Sequence, residues 1–206
     1  MKISKMFEVL SKNNYQEYPV VVFTYENEYP VLFFTELLQK LAKDSEIILK
    51  NISATVESQD LFETEIQTTF LGQTCSLWLG SLSNLSASEQ LKIVTICGQY
   101  KGPHRIILCI AVKDLPKTFT HKTIFNIDQE LTMQDKDILF SFLYPTLTYA
   151  SVQKISAGIA SFKSIDNLIM LAHYAMVLGR NTDVFVHDWL PKIIITFRKL
   201  MCVIAC

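Results

Sequence analysis

Pro19-Val20-Val21-Val22-Phe23-Thr24-Tyr25, then Glu26-Asn27-Glu28-Tyr29-Pro30, then an apolar-periodic run from Val31 to Lys43, together decide how this chain is read. The first seven residues are β-branched and aromatic and predict a strand. Pro30 suits the opening turn of a helix, whose Val31, Phe34, Leu37, Leu38 and Leu41 recur at helical spacing. In a nucleotide-binding α/β domain, the turn between such a strand and helix carries glycines and a Lys-Ser/Thr pair, and its backbone N–H groups cradle phosphate. Residues 26–30 contain neither Gly nor Lys, and they carry two carboxylates, Glu26 and Glu28. The frame of such a domain is present without its phosphate chemistry, so the question becomes what the chain holds and not what it hydrolyses.

Working outward, Ile3, Met6, Phe7 and Leu10 are spaced for an amphipathic helix over residues 3–10. A short strand is expected at 46–52. Ser58 or Asp60 can cap a helix reaching residue 67, with Leu61, Phe62 and Ile66 on its inner side. A strand follows at 75–79. Ser86-Ala87-Ser88-Glu89 has the spacing of a capping box, in which the first side chain and the fourth satisfy each other's backbone N–H groups, and it predicts a helix to Tyr100. Gly102-Pro103 closes that helix. The run 105–112, with Ile106-Ile107-Leu108-Cys109-Ile110, predicts a strand buried on both faces, and a further short strand is expected at 123–127. Strands alternating with helices of this length imply βαβ crossovers and a mostly parallel sheet covered on both sides.

After Asp128 the periodicity is helical only, over 131–143, 149–162, 166–178 and 187–197, with breaks at Pro145, Gly179 and Asn181. Pro191 either interrupts the last of these or lies near its start. The expected organisation is an α/β domain over residues 1–128 and a small all-helical domain over 129–206. No linker rich in Gly, Ser or Pro separates them, so a shared interface is expected.

The 206 residues are 50% hydrophobic and 19% charged with a formal net charge of -1, which places the chain among globular proteins and excludes a disordered one. Proteins that coat nucleic acid need clustered Lys and Arg to neutralise phosphate. Only three arginines occur, Arg105, Arg180 and Arg198, so that class is poorly supported. The first seven residues lack the apolar core and cleavage site of a signal peptide, and no stretch approaches the roughly 20 apolar residues of a membrane span. Cys75, Cys97, Cys109, Cys202 and Cys206 lie mostly in apolar runs and read as reduced, buried thiols of a cytoplasmic protein.

Little in the sequence carries catalysis. The six glycines spell neither Gly-x-x-x-x-Gly-Lys-Ser/Thr nor Gly-x-Gly-x-x-Gly, and no cofactor site is expected. His104, His121, His173 and His187 show no helical pairing, and there is no Cys-x-x-Cys, so no metal site is expected. His173 reads as a packed helix residue. A Cys nucleophile with a His base would need an exposed, electropositive setting for Cys75, Cys97 or Cys109, and their apolar neighbours argue against it. Asp135 and Asp137, alternating with Lys136, read as a solvated helix face. Thr69-Phe70-Leu71-Gly72 sets two large apolar side chains between a helix and a strand. Phe70 and Leu71 are either ordinary core residues or an exposed wedge, and a Phe or Leu buried in a partner's pocket supplies roughly 1.5–3 kcal/mol each.

The order of these elements resembles the delta subunit of bacterial DNA polymerase III, the clamp-opening member of the clamp loader. The resemblance runs from Phe7 to Phe197. It is carried by the strand at 20–25 followed directly by a helix, by Ile66-Gln67-Thr68-Thr69-Phe70-Leu71-Gly72-Gln73-Thr74-Cys75-Ser76-Leu77-Trp78-Leu79, by the strand 106–110, by the short strand near Phe125 and the helix from Leu131, and by Asn167-Leu168-Ile169-Met170-Leu171-Ala172 leading into 186–194. It implies a AAA+-like three-layer domain with a mostly parallel sheet that has lost ATP binding, then a helical lid, then a helical collar for which the sequence up to Cys206 offers no counterpart. It implies a non-catalytic subunit that meets a sliding clamp and other clamp-loader subunits, and DNA only within the assembled complex if at all. The hydrophobic pair that enters the clamp falls at Thr69, Phe70 and Leu71. Phe70 matches the family's Phe and Thr69 stands where a Leu is expected, so either Leu71 substitutes through a one-residue shift or clamp contact is weakened. The competing reading is a degenerate AAA+-like interaction module with no role at the clamp.

Overall fold

A computed structural model describes residues 3–11, 15–43, 48–51, 66–67, 73–117, 119, 123–128, 130–147, 152–153 and 164–178. The chain divides into two compact units, Met1–Gln129 and Glu130–Cys206.

In the first unit, β1 (Val20–Tyr25), β2 (Leu49–Asn51), β3 (Ser76–Ser81), β4 (Arg105–Ala111) and β5 (Ile124–Asn126) form one sheet in the order β2-β3-β4-β1-β5. Every pairing is parallel. The two unbroken apolar runs pair at its centre, from Val20 against Ile106 to Tyr25 against Ala111, and every residue of both is buried. Helices cover both faces, as the alternation of side chains across a strand requires. Val20 and Val22 of β1, Leu77 and Leu79 of β3, and Ile106, Leu108 and Ile110 of β4 share one core with Ile93, Val94 and Cys97 of the helix Ala87–Gln99. The intervening positions face the other way. Phe23 and Trp78 each lie 5.1 Å, centroid to centroid, from Phe34 of the helix Val31–Lys43, and Phe125 of β5 lies 5.8 Å from Phe23. These helices are α2 (Val31–Lys43) and α3 (Ala87–Gln99), and α1 (Ile3–Ser11) precedes the sheet. The expected α/β class with a parallel sheet is therefore what forms.

Local chemistry sets the boundaries. Ser86 and Glu89 make the capping box read from the sequence, with both reciprocal hydrogen bonds present. Strand β3 runs beyond Leu79 to Ser81 because Gly80 adopts φ +78°, and its register against β4 shifts between Trp78 and Ser81. That conformation is open to Gly without a Cβ penalty, and the resulting bulge redirects the residue after it. Strand β4 stops at Ala111, where residues Val112–Asp114 turn into a 3-10 helix.

In the second unit, α4 (Met133–Leu143) and α5 (Ile165–Leu178) are described. Thr132 caps α4 in a second capping box with Asp135. The Tyr144 ring lies tilted 6.2 Å from that of Phe140 and meets the His173 ring edge-on at 5.8 Å. The solvated face expected at 135–137 does not form. Lys136 is 5% exposed, Asp135 is committed to the cap, and both aspartates are half-buried. A lysine stem can lie along apolar surface while its ammonium reaches out, so alternating charge signs do not guarantee a wet face. Most of the helices expected at 58–67 and 149–162, and all of that at 187–197, lie outside the described residues.

Candidate functional site

The carboxyl ends of β1, β3, β4 and β5 come together where an open α/β sheet ordinarily receives its ligand. β1 delivers Tyr25, buried, and then Glu26, Asn27 and Glu28, all exposed. The Tyr25 hydroxyl lies 3.2 Å from the Ser81 hydroxyl, a contact made possible by the bulge at Gly80. Ser81 in turn accepts the N–H of Ser83 and caps the 3-10 turn Leu82–Asn84. Tyr29 packs 5.9 Å from Tyr25 and stacks at 5.3 Å on Phe34, so an aromatic side chain fills the approach to α2.

The decisive partner comes from beyond β5. The carboxylate of Asp128 accepts the backbone N–H of Glu26, the first donor that a phosphate would meet on leaving β1. Asp128 is held by its own N–H on Asn126 Oδ1 at 3.0 Å, while Asn126 Nδ2 donates to Glu26 Oε1 at 3.4 Å. Glu26, Asn126 and Asp128 thus form a closed network of side chain and backbone. An anion arriving here would face the carboxylates of Glu26 and Asp128, and like charges within a few ångströms repel by about 1 kcal/mol or more even in water. The first backbone donor after β1 is therefore taken by a carboxylate of the chain itself.

The amino end of the sheet carries the second polar cluster. Cys75 and His104 immediately precede Ser76 and Arg105, which are register partners in β3 and β4. Cys75 N–H donates to His104 Nδ1 at 3.2 Å, and the Cys75 thiol lies 3.3 Å from the same nitrogen. A ring nitrogen already receiving a backbone N–H is a poor base for a thiol, so the pair reads as a packed, neutral contact. Tyr100 bridges further: its hydroxyl donates to Ile66 O at 2.8 Å and accepts the His104 N–H at 2.9 Å. Burial, opposed by that His104 N–H, pushes the Tyr100 hydroxyl up to about 12, so it remains a donor at neutral pH. Arg105, fully buried, donates from Nε to Tyr18 O and from Nη1 to Leu10 O, with its guanidinium 4.9 Å from the Tyr15 ring centre. Burial lowers its pKa, and the neighbouring Tyr15 partly offsets this.

The sequence-derived positions fall as follows. Thr69, Phe70 and Leu71 lie outside the described residues, as do His121, His187, Cys202 and Cys206. Cys75, Cys97 and Cys109 are buried thiols outside any disulfide; burial alone pushes Cys97 up to about 12, and it is the leading cause raising Cys109. Sequence reasoning missed Asp128 and His104 as partners of Glu26 and Cys75. The signal for His104 was its place directly before a strand, matching that of Cys75. Among the described residues no group of three or more His, Cys, Asp or Glu could hold a metal ion, and no helix is long and apolar enough to cross a membrane. No protein-family model and no curated protein matches the chain.

Proposed function

We propose that the chain is a non-catalytic, delta-like clamp-loader subunit of DNA polymerase III, binding and opening a sliding clamp during replication through Phe70 and Leu71 while other subunits hydrolyse ATP. The sheet order β5-β1-β4-β3-β2 is that of AAA+-like domains, and it supports that reading of the first unit. The observation that carries the proposal is the Asp128 carboxylate on the Glu26 N–H. A AAA+-like sheet whose phosphate turn is closed by its own carboxylate suits a subunit that works without binding ATP. The two helices described in the second unit are in keeping with a helical lid, and the near-neutral charge suits a protein partner better than bare DNA.

A pull-down with purified sliding clamp tests it. The wild-type chain retains the clamp, and the Phe70→Ala, Leu71→Ala double variant loses most of that retention, because deleting two apolar anchors removes roughly 3–6 kcal/mol of burial. Undiminished binding by the double variant removes the wedge. A wild-type chain that does not bind the clamp removes the clamp-loader reading altogether.

A further inference from the structure

We draw no further inference here: the strongest candidate, the exposed aliphatic surface of Val31 and Leu32 at the start of α2 and of Val112 just after β4, carries nothing because nothing in the structure shows what covers it.

Discussion

The guanidinium of Arg105 donates through Nη1 to the carbonyl of Leu10 at 3.1 Å. Leu10 lies in the last turn of α1, where carbonyls have no helical partner and the helix dipole is negative. One buried cation at the start of β4 therefore satisfies the end of a helix 95 residues earlier in the chain and, through Nε, the Tyr18 carbonyl just before β1.

Replacing Arg105 with Ala should cost about 3 kcal/mol or more, since it opens a cavity and removes the donors to the buried Leu10 carbonyl and the part-buried Tyr18 carbonyl. Arg105→Lys should fall between, because an ammonium lacks the planar fork that reaches both carbonyls while lying on the Tyr15 ring. Urea unfolding measures both, and an Arg105→Ala midpoint equal to wild type would refute this account.

Stability should decline on the alkaline side. The Cys97 thiol ordinarily titrates at 9.0 and the Tyr100 hydroxyl at 10.0, and burial raises each to about 12 in the fold. For acids whose folded pKa is raised, the unfolded chain releases protons first. The stabilisation is fully present below pH 9 and is lost as pH rises from there towards 12, with a slope of at most about 1.4 kcal/mol per pH unit per group. Cys97→Ala should flatten the first part of that limb, between pH 9 and 10. Chemical denaturation at stepped pH reads it, and an identical slope in the variant counts against the thiol.

Gly80→Ala should destabilise by about 1–2 kcal/mol, because φ +78° is costly for any residue with a Cβ. The nearest atom to that Cβ would be Trp78 Nε1 at 4.0 Å, so the penalty is conformational and not steric. Thermal unfolding measures it; a neutral substitution would show that the bulge relaxes.

Asp128→Ala frees the Glu26 N–H and should cost about 1 kcal/mol. It should not create a nucleotide site, since Glu26 and Glu28 remain and the turn still lacks Gly and Lys. Calorimetric titration with a nucleoside triphosphate should give a dissociation constant weaker than about 1 mM for wild type and variant alike. Tight binding by either would contradict the closed turn.

Much of the α/β unit was legible because its signals are local. The aliphatic runs at 20–25 and 105–111 mark the central strands, and Ser86 with Glu89 marks a helix start within four residues. Strand order was not legible, because it depends on which edge each crossover returns to. The closed turn was half legible: its two glutamates stand in the sequence, but the carboxylate that seals it lies 102 residues away. Cys75 and His104 escaped notice for the same reason, being neighbours only once β3 and β4 pair in register. Lys136 was misread because charge alternation reports composition, while burial follows from which side of α4 meets Leu139 and Phe140.

The seal at Glu26 and Asp128 has a thermodynamic corollary. Two ligands can influence each other on one protein only if each discriminates between its states, and the influence is mutual. With its turn occupied from within, this chain has no lever there through which a nucleotide could favour one conformation over another. If coupling ran through that turn alone, partner affinity measured in saturating ATP, in ADP and in neither would be the same.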